Sequence, residues 1–591
     1  MSTLGSATDA KKLSVIVMIG LMFFASVQGM RESHSEPSTI RVPEDCATIQ
    51  EAINSAVPRD LVLVSSGTYY EQLTINKSIT IKAREKTAII DGNISGVCMQ
   101  ITADNVIMTG FKIQNALVGI RVQNSSYAQI LENNITATSR ESIILSRSQN
   151  CIIANNTITN NEEGIHLVLS SNNTISQNKI QGNYEYGILL NNSTNNLIKG
   201  NSPSANHARG IFLSDSNKNI IENNTITWSN DDGVVLLNSH NNSLIENVAF
   251  SNYHCGFYLV DSENNTLTGN VLESNVWNGL ELYHSNSNKI VNDLEANNMN
   301  AGLYLACSAN NIVRNNTMTG NVRNFRVYGE SLRDFLNDVD VSNRVDGKKL
   351  YYWINKHDLS VPSDAGYVAV INSTNIRVSS LTLTRNGQGI LFAYTNNSYI
   401  TWVEASSNLY GIHFVQAYNN HAILDTLTDN TFGIFIQNSE NNTFYFDTVN
   451  SSMKGVVGSY ADGNSFFRNN FINQSVQIDL YQSYGNSWDT GFEGNHWDSY
   501  VGTDMDRDGI GDVPYVLDAN NQDRYPLMRS CIPGDVNHDG AVNTSDVDIA
   551  RQTWQCRVGE GGYNPYADLN LDGVINILDV AYIGLFWQQH V

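Results

Sequence analysis

GVVLLNSHNNSLIENVAFSNYHC, residues 233–255, is one copy of a unit that the chain repeats at a nearly constant length. A first block has a glycine every 23 residues, at Gly164, Gly187, Gly210, Gly233, Gly256, Gly279 and Gly302. A second block has a glycine every 22 residues, at Gly389, Gly411, Gly433 and Gly455. An internal period of this size predicts a solenoid, in which each copy is one coil stacked on the previous one.

The residues after each glycine indicate which solenoid this is. Apolar residues stand one and three positions after every glycine of the first block, and this spacing of two predicts a β-strand with one buried face. Asparagine follows at position nine and, except for Asp293, at position fourteen. Asparagine tolerates the left-handed backbone of a sharp corner, and stacked asparagine side chains can bond to one another in a ladder. The unit therefore predicts an all-β, right-handed parallel β-helix of 22–23 residues per coil.

Composition excludes some functions. The 591 residues carry a net charge of −23, and nucleic-acid binding, which needs clustered lysine and arginine, is not expected. The seven cysteines contain no CxxC pair, which argues against a zinc or redox motif. Cys531 with Cys556, and Cys46 with Cys98, are candidates for disulfide bonds in an oxidising compartment.

Residues 1–29 are predicted to be a secretion signal. Lys11 and Lys12 precede an apolar run (13–27), and Val27 and Gly29 are small enough for a cleavage site. The alternative is an N-terminal membrane anchor, although fifteen apolar residues are short for a span. No later stretch is apolar enough to cross a bilayer. We therefore expect a secreted, extracellular or cell-surface protein without a membrane span once the signal is removed.

The segment before the repeats predicts a cap for the open end of the solenoid. TIQEAINSAV (48–57) has an apolar stripe at helical spacing, and Thr48 with Glu51 forms a capping box. The longer stretch TIQEAINSAVPRDLVLVSSGTYYEQLTINKSITI (48–81) resembles the start of pectin-lyase-like β-helix proteins, most of all NosD-like periplasmic proteins and their archaeal surface relatives. The similarity continues through 338–376 and ends in GNHWDSYVGTDMDRDGIGDVPY (494–515), which resembles the closing signature of that family.

These features predict five regions. After the signal come an N-terminal cap with the first coils (38–92) and the β-helix repeats (93–485), which an insertion at about 326–366 interrupts. A C-terminal cap (486–530) and a small α-helical domain (531–591) follow.

The small domain contains two copies of one acidic loop, DVNHDGAVNTSD (535–546) and DLNLDGVINILD (568–579). Oxygen ligands at positions 1, 3, 5, 7, 9 and 12, with glycine at position 6, are typical of an EF-hand-like Ca²⁺ loop, here with aspartate at position 12. The predicted ligands are Asp535, Asn537, Asp539, Ala541, Asn543 and Asp546 in the first loop, and Asp568, Asn570, Asp572, Val574, Asn576 and Asp579 in the second.

Each loop leads into an amphipathic stretch, but no helix precedes it. This duplicated loop–helix unit resembles a dockerin, and the resemblance implies that Ca²⁺ organises the domain and that it docks onto a cohesin of a scaffold or surface protein. In dockerins, positions 10 and 11 help to select the partner. They are Thr544 and Ser545 in one copy and Ile577 and Leu578 in the other.

A third acidic loop, DMDRDGIGD (504–512), lies in the C-terminal cap. Its opening matches the same pattern, but Tyr515 stands at position 12, so the bidentate ligand is missing. We expect a weaker Ca²⁺ site there, and an aspartate-rich turn without metal is the alternative. The ligands of this site would be Asp504, Asp506, Asp508, Ile510 and Asp512.

One outward face of the first block is the candidate for chemistry. Coils stack about 4.8 Å apart, so residues one period apart are neighbours, which places Asp231 and Asp232 beside His254, with Arg209 on the other side. Paired carboxylates can act as acid and base in glycoside hydrolysis, or hold Ca²⁺ for a lyase reaction with Arg209 assisting. SNDDG (229–233) resembles the Asp-Asp motif of polygalacturonases, but the NTD, G-H-G and R-I-K elements of that family are not found at matching positions. A solvated turn and a non-catalytic glycan contact are the alternatives.

The position two residues after each glycine points outward. We expect an exposed stripe with aromatic rings, on which sugars can stack. Its members are His166, Leu189, Phe212, Val235, Tyr258, Glu281 and Tyr304.

Together these observations predict a secreted β-helix protein that binds polysaccharide and attaches to a cohesin through a Ca²⁺-dependent dockerin. A dockerin-bearing polysaccharide lyase or glycoside hydrolase is the first alternative. The resemblance to NosD, which is tied to copper-site assembly, implies a copper-related periplasmic protein as the second. Copper needs clustered histidine, methionine or thiolate, whereas the twelve histidines are dispersed and no Met-x-x-Met or His-x-His string exists.

Overall fold

The computed structural model describes residues 36–590, which form two parallel β-solenoids in series, followed by a small helical domain. The predicted signal, residues 1–29, lies outside the described residues. Among the helices of residues 36–590, none combines the length and apolar character that crossing a bilayer requires. The predicted β-helix with a C-terminal helical domain is confirmed.

Within residues 36–590, three α-helices flank or follow the strands. The first, Ile49–Ser55, covers the start of the first solenoid, and Thr48 and Glu51 form the predicted capping box. The other two, Thr544–Gln552 and Ile577–Leu585, belong to the small domain. A short 3₁₀ helix, Leu332–Phe335, lies where the first solenoid ends.

Each coil of the first solenoid contributes one strand to each of three parallel sheets. Sheet 2 runs over fourteen strands from Thr39–Val42 to Asp338–Val339, and sheet 3 begins at Gly67–Tyr69 and continues through Thr317–Thr319. Sheet 1 contains the glycine strands and carries the candidate site. Its twelve strands are Leu73–Ile75, Val97–Ile101, Val118–Gln123, Glu141–Ser146, Glu163–Val168, Ile188–Asn191, Ile211–Ser214, Val234–Leu237, Phe257–Val260, Leu280–Tyr283, Ala301–Ala306 and Arg323–Tyr328.

Buried asparagines join successive coils at the corners. The backbone N–H and the side-chain amide of Asn219 both donate to Asn242 Oδ1, at 2.8 and 3.2 Å, and Asn242 donates to Asn265 in the same way. The column fourteen residues after the glycines repeats this pattern. A third asparagine column, nineteen residues after the glycines, had not been predicted; its members include Asn183, Asn206, Asn252, Asn275, Asn298 and Asn321.

The left-handed residues are not the ladder asparagines themselves. Lys218 and Asn241, with φ of 59° and 58°, each stand one position before a ladder residue. The left-handed residue turns the chain, and the next residue then points inward, where its side chain satisfies the corner's backbone groups. The expectation that one asparagine serves both purposes is therefore wrong for these corners.

A single β-hairpin converts the first solenoid into the second. Arg344–Val345 pairs antiparallel with Lys348–Ile354 through a two-residue turn at Asp346 and Gly347, whose φ values are 46° and 81°. Two positive φ values are the requirement of a type I′ turn, for which Asp-Gly is a favoured sequence. The later strands of sheet 3 run parallel to Lys348–Ile354 and end at Val476–Tyr481, so strand direction reverses once within one continuous sheet.

This reversal moves the hydrophobic core to the opposite face of sheet 3. A right-handed coil whose strands run the other way, while the axis advances in the same direction, must enclose the opposite side of its sheet. Accordingly Tyr367, Ala369 and Ile371 belong to the first core, whereas Val368 and Val370, on the same strand, belong to the second. The predicted insertion is thus the junction at which the second solenoid covers the end of the first.

The second solenoid has two further sheets of six strands, one from His357–Ser360 to Ser465–Phe467 and one from Thr382–Thr384 to His496–Trp497. Stacked rings at its end, Phe466 on Trp488 and Phe471 on Trp497, close the core. A last pair of strands, Tyr515–Val516 and Gln522–Asp523, completes the cap.

The small domain packs directly on the second solenoid. The two share a third core, to which the solenoid contributes Ile423, Tyr445, Phe446 and Phe467. The ion pair of Arg468 with Glu493 is buried at this junction, and Arg468 also donates to the carbonyl of Pro565.

The proposed disulfides are not formed, because each cysteine is held elsewhere. The backbone N–H of Cys531 donates to Asn470 Oδ1 at 2.6 Å on the solenoid side, whereas the Cys556 carbonyl accepts from Ile575 within the small domain. Cys98 is buried in the first core, and Cys46 lies in the N-terminal cap.

Asp293 supplies a test of the ladder. Its Oδ1 accepts from Asn270, but an ionised carboxylate cannot donate to the next coil, and its Oδ2 is buried without a partner. Burial raises the pKa of Asp293 and of its neighbour Glu295. The folded chain thus keeps protons that the unfolded chain has released, so stability falls as pH rises from the ordinary aspartate value of 3.8 to the raised value.

We therefore expect Asp293→Asn to stabilise the protein at pH 8 by about 1 kcal/mol or more and to flatten the pH dependence of its unfolding, measured by denaturant titration. The opposite change two column members away, Asn247→Asp, removes the donor to the Ile221 carbonyl and should cost about 1–3 kcal/mol at pH 8. Equal stability of all three proteins at pH 8 would contradict the ladder argument.

Candidate functional site

The structure brings the four candidate catalytic residues together on the rim of sheet 1. His254 Nδ1 lies 2.6 Å from Asp232 Oδ1, and Arg209 Nε lies 3.3 Å from Asp231 Oδ2 and 3.7 Å from Asp232 Oδ2. Backbone hydrogen bonds between coils, from Asp231 to Ala208 and from His254 to Asp231, set this alignment. The adjacency follows from the 23-residue spacing, as the sequence predicts.

Burial and neighbouring charges tune these groups. Asp232 is almost fully buried, and its Oδ1 also accepts the backbone N–H of Cys255 at 2.9 Å. The hydrogen bond that His254 donates to Asp232 raises the pKa of His254. Burial, with the nearby Asp232 charge, raises the pKa of Asp231. An oriented carboxylate–imidazole pair beside a carboxyl of raised pKa is a combination that can transfer protons.

A second carboxyl lies deeper in the same cluster. Glu281 Oε2 accepts from Asn278 Nδ2 at 2.6 Å and lies 3.6 Å from the Cys255 thiol. Burial raises the pKa of Glu281, and burial also raises the pKa of the Cys255 thiol well above its ordinary value. Cys255 and Glu281 were not predicted as members of this cluster, although Cys255 follows His254 in the chain and the period pairs Glu281 with Tyr258.

The predicted sugar-stacking stripe is largely covered. Leu189 and Val235 are 5% and 3% exposed, so they are part of the packed surface. The Arg209 guanidinium lies over the ring of Phe212, 4.5 Å from the centroid of that ring, and Tyr186 packs beside Phe212. The expectation of an exposed stripe two residues after each glycine is therefore wrong, because side chains from the preceding corner fold over it.

An exposed row of rings lies instead twenty and twenty-one residues after the glycines. Tyr184 and Tyr253 are 67% and 69% exposed, and Tyr184 stacks on His207 at 5.3 Å. Trp277 stacks on His254 at 6.0 Å with an angle of 9° between the ring planes. This ring row, Tyr184, His207, Tyr253 and Trp277, borders the Asp231–Asp232–His254 cluster. Comparing the residues at fixed positions after each glycine, as was done for the asparagines, would have identified this ring row from the sequence.

Two arginines at the end of sheet 1 add positive charge to this face. The Nε atoms of Arg323 and Arg326 are buried without a hydrogen-bond partner in the described part of the chain, and Arg326 lies 4.2 Å from the ring centroid of Tyr304. Burial and the neighbouring Arg326 charge lower the pKa of Arg323.

The two loops of the small domain have the backbone geometry of Ca²⁺ loops. Gly540 and Gly573, at position 6, have φ of 88° and 79°, and their N–H groups donate to the first aspartate of each loop, Asp535 at 2.8 Å and Asp568 at 2.9 Å. The carboxylate at position 12 is fully buried in both loops. These carboxylates, Asp546 and Asp579, accept the backbone N–H groups of Val536 and Leu569, which ties the start of each loop to the helix that follows it.

The cap loop shares only the first half of this geometry. Gly509 has φ of 85° and donates to Asp504 at 3.1 Å, and carboxylate oxygens of Asp504, Asp506 and Asp508 lie within 4.8 Å of one another. Asp512, in contrast, accepts the backbone N–H of Met505 at 2.8 Å.

Comparisons with known proteins agree with this architecture. The family model described as "Periplasmic copper-binding protein (NosD)" matches residues 53–227 and 365–502, just over half of the chain. Models for a right-handed β-helix region and for a type I dockerin domain match residues 167–318 and 533–583.

Matches to individual proteins are partial. A cell surface glycoprotein of Methanothermus fervidus is 27% identical over 21% of this chain, and the chain covers 21% of that relative's length. A probable ABC transporter binding protein NosD of Pseudomonas aeruginosa is 38% identical over 10% of this chain and 15% of its own length. Among solved structures, the periplasmic alginate epimerase AlgG covers 52% of this chain and 82% of its own at 15% identity and a TM-score of 0.37. The A-module of the mannuronan C-5 epimerase AlgE6 of Azotobacter vinelandii matches 75% of this chain and 94% of its own length, at 12% identity and a TM-score of 0.33.

The contact of Asp232 with His254 predicts a measurable titration. The pKa of His254 should exceed the ordinary histidine value of 6.5, because the carboxylate stabilises the imidazolium, and the protonated fraction should fall only as pH rises through the raised value. Asp232→Asn should lower this pKa. NMR titration of the imidazole would measure both, with Asp261→Asn, an exposed carboxylate on the next coil, as a control without effect. An unchanged pKa in Asp232→Asn would contradict the assignment.

Proposed function

Since this chain belongs to the NosD family and carries a C-terminal dockerin domain, we propose that it is secreted, binds polysaccharide and attaches to a cohesin. The partial similarity to a cell surface glycoprotein supports a location outside the cell.

The cluster that would offer copper both an imidazole and a sulfur does not fit copper. The cluster that combines an imidazole with a sulfur is Asp232–His254–Cys255. Copper favours a thiolate there, but burial raises the pKa of Cys255 well above its ordinary value, and His254 Nδ1 is engaged by Asp232. The family's printed description therefore does not extend to a copper role for this cluster.

The ring row carries the polysaccharide proposal. Exposed flat rings at the coil spacing offer apolar faces along the solenoid axis, and sugar rings present C–H faces that pack on such surfaces. Arg209 and the pair Arg323 and Arg326 lie on the same side and add donors for hydroxyl or carboxylate groups. A long polymer would thus contact many coils at once.

A polysaccharide lyase or glycoside hydrolase is the second candidate, and one observation favours it. The His254–Asp232 contact of 2.6 Å and the raised pKa of Asp231 place a base and a protonatable carboxyl beside the ring row. A bound polymer would reach these groups without a change in the fold.

Cohesin attachment is supported by the exposed side of the dockerin. The partner-selecting residues Thr544 and Ser545 are exposed, and Ile577 and Leu578 are 65% and 56% exposed, while the opposite side is packed on the solenoid. Exposed large apolar side chains on one helix are typical of a protein-binding surface. The oxygen donors of both loops fit Ca²⁺, which would hold each loop against its helix.

We expect the melting temperature of the dockerin region in the full chain to rise with Ca²⁺ and fall with EGTA. Ca²⁺ at about 100 times its dissociation constant adds about 2.7 kcal/mol per site. Asp568→Asn should abolish the contribution of the second loop, whereas Asp548→Asn, an exposed residue of the helix, should leave the response unchanged. The measurement is calorimetry paired with Ca²⁺-dependent binding to cohesins; a melting curve indifferent to EGTA would rule out the proposed role of Ca²⁺.

For the solenoid, Trp277→Ala and Tyr253→Ala should each weaken polysaccharide binding about tenfold, because each removes one stacking surface. Tyr70→Ala, an equally exposed tyrosine in the N-terminal cap, is the control. Binding is measured on a panel of neutral and acidic glycans, with product analysis for reducing ends and unsaturated sugars.

The pair Asp231→Asn/Asp232→Asn separates the two candidates in the same assay. Product formation that these changes abolish, with binding retained, would establish the enzyme. Binding without products supports the binding protein, and no binding to any glycan in the panel would count against both.

A further inference from the structure

A second cluster of metal-ligand side chains lies three to five coils before the candidate site. Glu141 and Glu163 are paired in register on adjacent strands of sheet 1, and His166 follows on the second of these strands. One ligand atom from each of the three lies within 4.8 Å of the others, and His166 Nδ1 is 3.0 Å from Glu163 Oε2. We propose that Glu141, Glu163 and His166 form a binding site for one divalent cation of the zinc class.

Apart from the 3.0 Å contact of His166 Nδ1 with Glu163 Oε2, the three ligand atoms have no polar partner within the described residues. Glu141 Oε2, Glu163 Oε2 and His166 Nδ1 are all buried and lack a hydrogen-bond partner. Neither carboxylate forms an ion pair with a lysine or arginine in residues 36–590. Two glutamates of adjacent coils thus face each other without a fixed cation, an arrangement that costs free energy unless a positive charge lies between them.

The second ring nitrogen of His166, which is not the proposed ligand atom, has a contact of its own. Asn191, on the next coil, lies with its side-chain amide 3.1 Å from His166 Nε2. The atom at this distance is Asn191 Nδ2, and a 180° turn of the amide would put its oxygen there, so that it accepts from Nε2–H and the Nδ1 lone pair is directed at the two carboxylates. A ligating histidine is usually held in this way through its other nitrogen.

The donor set selects the metal class. Ca²⁺ takes six to eight oxygen ligands, whereas here two carboxylates are joined by an imidazole, which suits zinc and neighbouring divalent metals. Bond lengths of about 2.0–2.2 Å place ligand atoms of a tetrahedral zinc about 3.5 Å apart, so a rotation of one glutamate closes the remaining distance. Three protein ligands leave one position open. A pocket lined by Thr138, Asn160, Glu162 and Tyr184 lies in the same region, and Glu162 precedes Glu163 in the chain.

The test is calorimetric titration of the full chain with Zn²⁺ in the presence of saturating Ca²⁺, which occupies the acidic loops. We expect one Zn²⁺ per chain at this site. His166→Ala and Glu163→Gln should each lower the affinity by more than about 100-fold, and Asn191→Ala, which removes only the support of the imidazole, by about 10- to 100-fold. His357→Ala, an exposed histidine far along the chain, should have no effect.

Circular dichroism melting without zinc shows whether each variant is folded, and Asn191→Ala keeps the proposal testable if a ligand variant is not. Zinc affinity unchanged in a folded His166→Ala or Glu163→Gln protein would overturn the proposal. So would native protein that takes up no Zn²⁺ under these conditions, which would leave His166 as an ordinary ion-pair partner of Glu163.

Discussion

The hydrogen bond from one buried corner asparagine to the next coil is the interaction on which the solenoid depends. Each ladder residue accepts two donors from the coil before it and donates to the coil after it, as Asn219, Asn242 and Asn265 show. A buried backbone N–H without a partner costs about 1–3 kcal/mol, so each coil needs its neighbour. The same coupling fixes the spacing between coils, and this spacing places Asp231, Asp232 and His254 side by side. The site is thus a consequence of the ladder.

The hairpin at Asp346 and Gly347 is the second constraint, because it determines where the two cores lie. One reversal of strand direction in a continuous sheet, with right-handed coiling on both sides of it, forces the cores onto opposite faces. A strand that separates the two cores is therefore buried on both faces and needs to be largely apolar. Ala365–Ile371, AGYVAVI, satisfies this requirement and has no polar residue along its length. The second solenoid and the 3₁₀ helix Leu332–Phe335 together cover the end of the first solenoid.

The sequence predicts those features of the fold and site that follow from the repeat period, and it does not predict those that depend on packing between other positions. Columns at a fixed period predicted the fold, the asparagine ladders and the adjacency of Arg209 with the Asp231–Asp232 pair, because these depend on the spacing alone. The Asp-Gly turn and the apolar run after it were not predicted, although the rule for type I′ turns would have indicated the hairpin. The exposure of the stripe was not predictable in this way, since Leu189 and Val235 are covered by side chains from other positions of the coil. The packing of the small domain on the solenoid could likewise not be predicted from the sequence, because no repeat period relates the two surfaces.

That packing has a consequence for attachment. The buried Arg468–Glu493 pair lies within the solenoid, but His538 and the carbonyl of Pro565, both from the small domain, complete its hydrogen bonds. Leaving such a pair partly unsatisfied is costly, and the shared core with Phe446 and Phe586 adds apolar burial to the same junction. The dockerin therefore stays in one orientation on the rod, with Ile577 and Leu578 outward. A cohesin bound to this surface would hold the rod at a defined angle, because the rod and its attachment point move as one body.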